Sequence, residues 1–404
     1  MKGFAGHPGK PMKVLRELNV VPLKPHPDAE TLRKFAKSCE MDGPWDSTAF
    51  AAFLSSLQDE KLAGMVKASG TEFRIARVHF AADQRLLAEI KRLGGTASFE
   101  VEAPNWLREI TGDEALSVFN RFTEIILNER TDGHKGPVPK KHSDRVTDDW
   151  LKRIADQTTL RRIELSGTAV TSAGLVHLKS LHNLEVLNIC LTAVDDRGFE
   201  YLAGLSKMKR MVVCSSKITG SGFKHLECMT QIESINLHSS PASDAGLEAI
   251  GKLTNLRRLE IVHTSVTDGG LKHLAGLTNL RQLHIASHDT TEAGLPFLAE
   301  LKELDQLDVY EKTASNATLE QIGKLPKLRL LMLVQGTFDD GGVKHLAKLD
   351  SLEELTLNSG NVTDASLEHL AGLKHLRKLN LSGTKITPAG KQKLAEMLPK
   401  AKIE

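Results

Sequence analysis

The chain has 404 residues, 26% charged and 40% hydrophobic, with 53 Lys+Arg against 51 Asp+Glu. That balance is of a soluble globular protein with ample core, and it argues against nucleic acid or an anionic membrane as the main partner. No apolar run approaches membrane-spanning length, residues 1–11 lack the apolar core of a signal peptide, and Cys39, Cys190, Cys214 and Cys228 form no disulfide framework; a cytoplasmic location is expected.

Residues 1–26 contain Pro8, Pro11, Pro22 and Pro25 without periodicity, so a flexible arm is expected there. Residues 27–121 read as a small α/β domain and flank. Its first helix opens at Pro27-Asp28-Ala29 and runs to Lys37, a second is capped by Asp46 and runs toward Leu57, and a third covers Lys61 to Lys67. Phe73, Ile75, Val78 and Phe80 suggest a strand from Glu72 to Phe80, and a helix from Ala82 to Leu93 ends at Gly94-Gly95. Nine of the 13 phenylalanines precede residue 123, which argues for a separate core.

From residue 122 the chain becomes periodic. Residues 122–159 are a degenerate capping repeat: Phe122 to Leu127 supplies its strand, Val146 to Leu151 its turn and helix, and a loop is inserted around residues 129–145. Ten units of 24 residues follow over 160–399, starting at Leu160, Leu184, Met208, Ile232, Leu256, Leu280, Leu304, Leu328, Leu352 and Leu376. A strict period of this length marks stacked modules that bury each other's apolar edges. Residues 400–404 are expected to be a capping strand.

Within a unit, positions 1, 4 and 6 are apolar and alternate with 3, 5 and 7, as in a short strand with one buried face (Leu256, Leu259 and Ile261 against Arg258, Glu260 and Val262). Positions 16, 19 and 22 carry the stripe of a short helix, such as Leu271, Leu274 and Leu277. Position 12 is Thr, Ser or Asp in all ten units, an N-cap at each helix start. Position 15 is Gly in eight, with Thr318 and Ser366 the exceptions, which predicts close approach of neighbouring units. Position 9 is Thr or Ser in the regular units but His288, Lys312, Gly336 and Gly360 in the middle, so the loop bonds there are expected to differ.

This pattern, with its T-D-x-G-L turn, resembles the leucine-rich repeat family in its bacterial 24-residue form. The resemblance implies an α/β leucine-rich repeat solenoid, with a parallel sheet lining the concave side and helices on the convex side, preceded by the small α/β N-terminal domain. It also implies that binding residues lie in the outward columns of the strands: Asn188, Val212, Asn236, His238, Glu260, Val262, His284, Asp308, Tyr310, Leu330, Met332 and Val334. Leu330, Met332 and Val334 put three apolar side chains on the solvent face of one strand beside Tyr310, a contact surface more often than an accident.

Cys190, Cys214 and His238 stand in one column with His263 one position on, a zinc-like set. A shallow surface without supporting residues favours free thiols instead, and no metal or other cofactor is expected. The histidines at position 18 (His177, His225, His273, His345 and His369) alternate with Tyr201 and Phe297, as packing residues do. No phosphate loop, metalloprotease helix, nucleophile elbow or kinase signature occurs. The expected function is a non-enzymatic scaffold that binds a protein or peptide on the concave face. The alternative is an adaptor or enzyme whose activity lies in residues 1–121, the repeats selecting its target. The sequence does not set the oligomeric state.

Overall fold

The computed structural model describes residues 27–40, 47–127, 143–214, 216–227, 229–310 and 314–404. The expected arm over 1–26, the Asp46 cap, most of the inserted loop, Cys228 and Lys312 lie outside the described residues. Two compact units divide the chain: residues up to Arg85 with Glu100–Arg121, and Leu86–Phe99 with Phe122–Glu404. No helix among the described residues is long and apolar enough to cross a membrane.

The first unit is built on helices, Ala29–Ser38, Ser47–Ser56, Glu60–Ala68, the N-terminal part of Gly70–Arg92, and Asn105–Thr111. Leu32, Ala36, Leu62, Val66, Phe73, Leu107, Leu116 and Phe119 form its core, and Phe35 stacks on Phe53 with ring centroids 3.8 Å apart. The strand expected over Glu72 to Phe80 is wrong, because the whole stretch is inside the helix Gly70–Arg92. Phe73, Ala76, Asp83, Leu86 and Ile90 are its buried positions, at helical spacing, while Ile75 and Val78 point outward at 46% and 68% exposure. The β-branched residues that suggested a strand are thus the exposed side of a helix.

Among the described residues the sheet has 13 strands, and their spatial order is the chain order. From Asn120–Ile126 to Lys402–Ile403 the pairings are parallel and in repeat register, so that Glu260 lies between Asn236 and His284. The sheet begins one strand earlier than the sequence suggested, at Thr96–Val101. A single core runs along the repeats, with Leu160, Leu184, Met208, Ile232, Leu256, Leu280, Leu304 and Leu328 all fully buried. Replacing such a leucine by alanine costs roughly 2–5 kcal/mol.

Opposite the strands the connecting segments are short and largely 3₁₀, for example Gly174–Leu178 and Asp196–Leu202. The apolar spacing of three in this half of the unit is the 3₁₀ period, which explains why few of them extend into longer α-helices. Leu191, Ser239, His263 and Gln335, at position 8, have left-handed backbones like Gly167 and Gly383. In repeats 6 and 9 the same position holds Ser287 and Ser359 instead, buried, each donating its hydroxyl to a carbonyl of the preceding repeat (Val266 at 2.7 Å, Phe338 at 2.6 Å). Regular units use position 9, where Thr168, Thr192 and Ser240 each donate to the carbonyl three residues back at 2.7 Å. The altered loops at His288 and Gly360 therefore keep a buried hydroxyl, moved by one residue.

Successive repeats are tied at the turn that opens each helix. The carboxylate at position 13 accepts two bonds from the next unit's position 12: Thr291 donates its amide to Asp268 at 2.7 Å and its hydroxyl at 2.6 Å. The same pair of bonds joins Thr171 to Asp148, Thr219 to Asp196, Thr267 to Asp244, Thr363 to Asp340 and Thr387 to Asp364. The hydroxyls so held cap their own helices, as when Thr267 Oγ1 accepts from the Gly269 amide at 3.1 Å. Ser243 departs from this: its hydroxyl donates to the Thr219 carbonyl.

This joint explains the glycine at position 15. A Cβ on Gly390 would stand 2.3 Å from Asp364 Oδ1 and 2.9 Å from its Cγ, and one on Gly294 would be 2.3 Å from Asp268 Oδ1. The two exceptions have their own solutions: the Ser366 hydroxyl bonds to Asp340, and Thr318 Oγ1 accepts from the Ser315 amide at 3.2 Å. We expect Gly390→Ala to destabilise the protein by about 1–3 kcal/mol, and to cost clearly less when Asp364→Ala has already removed the obstructing carboxylate. A double-mutant cycle in urea measures this coupling, and strictly additive costs would refute the steric account.

Burial opposes ionisation of Asp196, but bonds from the Gly222 amide, the Thr219 hydroxyl and amide, and the Gly220 amide outweigh it and hold the carboxyl below its usual range. A group with a lowered folded pKa stabilises above its unfolded value, near 4, and loses that contribution as pH falls through the folded value. Asp196→Asn should therefore weaken the protein at neutral pH and reduce the drop in stability from about pH 5 to about pH 2. An unchanged acid-unfolding profile would remove Asp196 from that role.

Candidate binding face

Alternation along the strands turns positions 3, 5 and 7 to the sheet's open face, and the register lines them up in columns. Strand length varies along this face. Repeats 2, 4 and 10 have three-residue strands, and there Asn188, Asn236 and Asn380 each use Oδ1 to accept the amide two residues on, at 3.0, 2.9 and 2.8 Å. Repeats 5 to 9 carry five-residue strands instead, from Arg258–Val262 to Glu354–Asn358. The longest stretch of ordered face is therefore in the second half of the array.

The residues singled out from sequence all fall on this face. Asn188, Val212, Asn236, Glu260, Val262, His284, Tyr310, Leu330, Met332 and Val334 are half-buried and His238 is exposed, but Asp308 is only 6% exposed. Val262, Ala286, Tyr310 and Val334 occupy one column, and Leu330 and Met332 add apolar side chains along the strand of repeat 8 beside Tyr310. Ala286 is fully covered, so the column is interrupted there.

Polar groups adjoin the patch. Glu260 accepts from Asn236 Nδ2 at 2.6 Å and pairs with Arg258 at 2.6 Å. His284 lies in register between Glu260 and Asp308, with its Nδ1 3.4 Å from the Asp308 carboxylate. Gln306 Nε2 contacts His284 at 3.2 Å and Asp308 at 3.4 Å. Burial raises the Asp308 carboxyl above the usual carboxylate range, outweighing the nearby His284 and the bond from Gln306. Tyr310 is raised as well, by burial first and then by the charges of Asp308 and Glu260.

The cysteine column behaves differently from the expectation. Cys190 and Cys214 are joined in a disulfide, with Cα atoms 4.6 Å apart, so they are neither free thiols nor a pair of thiolate ligands. The sequence carried the signal: the two residues share position 7 of adjacent repeats, and neighbouring strands bring such positions within bridging distance. His238 keeps a contact with Ser239 Oγ at 2.8 Å and its ring lies 5.5 Å from that of His263. Among the described residues no group of three or more His, Cys, Asp or Glu is arranged to hold a metal ion. Cys39 is buried, which pushes its thiol up to about 11 and makes it unreactive until the protein unfolds.

Maleimide labelling of the denatured protein should reach two more cysteines after reduction than before it, those of the Cys190–Cys214 bond. Four labelled thiols without reduction would show that Cys190 and Cys214 are not bonded in the isolated protein.

Residues 372–395 match a family model described as a leucine-rich repeat. Among solved structures, an internalin from Listeria monocytogenes is 19% identical over 70% of this chain and 86% of its own, with a TM-score of 0.44. A TDR receptor is 18% identical over 62% of this chain, also with a TM-score of 0.44, and the match spans only 44% of that receptor's chain. No protein of curated function matches the sequence. With the matched segment in phase with ten units of equal length, all stacked strand on strand into one ladder, the chain is a leucine-rich repeat solenoid.

Proposed function

We propose that the chain is a non-enzymatic scaffold that holds a protein or peptide on the open face of its sheet. The apolar patch of Leu330, Met332, Val334 and Tyr310 on that face carries the reading, because water-facing strands rarely gather such residues without a partner. Ten strands at about 4.8 Å make a surface near 50 Å long, suited to a macromolecule and too open to exclude water from a reaction. No cofactor, nucleic acid or membrane is assigned to it.

The second reading, an adaptor working through residues 1–121, is favoured by Ile75 and Val78, two large apolar side chains exposed on one helix of the first unit. Location bears on both. A cytoplasmic site is the expectation from sequence, yet the Cys190–Cys214 bond favours an oxidising compartment, since cytosolic thiols are kept reduced. The labelling pattern of protein taken from its native cells decides between them.

Affinity capture from native extract tests the reading. Met332→Glu with Val212→Glu should abolish partner capture and change thermal unfolding by no more than a few degrees, since both side chains are on the solvent side of the strand. Undiminished capture by this double mutant, with loss in Val78→Glu, would move the binding surface to the first unit.

A further inference from the structure

Three repeats place a carboxylate at position 5 of the strand, on the open face: Glu164, Glu260 and Asp308. In two of them position 3 of the same strand is an arginine that neutralises it. Arg162 Nε donates to Glu164 at 2.8 Å, and Arg258 Nε donates to Glu260 at 2.8 Å with a second guanidinium nitrogen at 2.6 Å. In the third, position 3 is Gln306, whose amide reaches Asp308 only at 3.4 Å. Asp308 is also the most buried of the three, at 6% exposure, and faces Met332 on the neighbouring strand, which offers it no donor. His284, also at 3.4 Å, is the remaining partner and bears a charge only when protonated.

A buried carboxylate without a close cation is costly, and the raised Asp308 carboxyl is one sign of that cost. The cost falls when an arriving group supplies the missing charge and water is excluded around it. We propose that Asp308 receives an arginine side chain of the bound peptide, with apolar residues flanking that arginine seated against Leu330, Met332, Val334 and Tyr310. The inference rests on the reading of the open face as the binding surface. Arginine suits the position better than lysine because its guanidinium is planar and weakly hydrated, and Arg162 and Arg258 already pair with carboxylates on this face. The surrounding charges fit: Arg258 is bonded to Glu260 and acts on Asp308 only through its charge, and among the described residues no cation other than His284 pairs with Asp308.

Blocked peptides of the pattern Leu-Xaa-Leu within a Gly-Ser frame, immobilised at high density, provide the probe, with Xaa arginine, citrulline or glutamate. Citrulline keeps the shape and most donors of arginine but not its charge. The wild-type chain should be retained by the arginine peptide at least about tenfold better than by citrulline, and least by glutamate. Asp308→Asn should remove the arginine preference. Gln306→Arg, which supplies the cation from the chain itself and mimics Arg258 beside Glu260, should remove it too while leaving thermal unfolding unchanged or improved. Equal retention of arginine and citrulline peptides, or retention of neither, overturns the inference. If equal retention is lost in Met332→Glu, the open face still binds and only the arginine assignment fails; if it survives Met332→Glu, the reading of the face fails with it.

Discussion

Each repeat ends its strand by turning into a helix whose first amides need acceptors, and the preceding repeat provides one. The Asp268 carboxylate illustrates the arrangement: it binds the amide and hydroxyl of Thr291, and the hydroxyl then accepts from the Ala293 amide. In the repeats joined this way a capped turn is completed by its neighbour, which couples local structure to stacking, whereas in repeat 7 Thr318 accepts the Ser315 amide within the same unit. The same carboxylate fills the space a side chain would need at Gly294. Stacking in turn lines up the strands, and the columns of the open face exist because every turn is held in the same register. Exposed charge pairs such as Lys209 with Glu185 and Arg329 with Glu353 add little to this, because water and salt screen them.

Much of this was legible in the sequence because the repeat averages out local ambiguity. Ten copies of an alternating strand and a capped turn leave one solution, and the positions of Leu259, Thr267 and Gly270 within it follow from the pattern alone. The first unit offers no second copy to compare. There, Ile75 and Val78 suggested a strand by residue type, while the helical spacing of Phe73, Ala76, Asp83 and Leu86 decided the outcome. The short strand Thr96–Val101 was missed for the related reason that it belongs to the sheet but not to the period.

At the face, sequence placed the residues but not their relations. Columns 5 and 7 came from register, whereas the bonding of Asp308 and the burial of Ala286 depend on distances that periodicity does not encode. The Cys190–Cys214 bridge was misread despite a visible signal, since equal positions in adjacent repeats are always neighbours. The contrast between Glu260 and Asp308 carries the same lesson in reverse: one changed residue on the same strand, Gln306 for arginine, alters the electrostatics of a site that looks repetitive in composition.

The joint between the first two full repeats is wired in the opposite sense to most others. There Ser172, at position 13, donates its hydroxyl to the Asp195 carboxylate at 2.6 Å and accepts from the Asp195 amide at 2.9 Å, with acid and alcohol exchanged. Modules flanking an Asp–Thr joint can be duplicated or excised whole, because each upper edge fits every such lower edge. A module cut at the exchanged joint and spliced elsewhere would set carboxylate against carboxylate or alcohol against alcohol. The acid stands at position 12 again between repeats 7 and 8, where Asn316 Nδ2 donates to the Asp339 carboxylate at 2.8 Å and Asn316 Oδ1 accepts the Asp339 amide at 3.0 Å, so interchangeable modules come in blocks bounded by such joints.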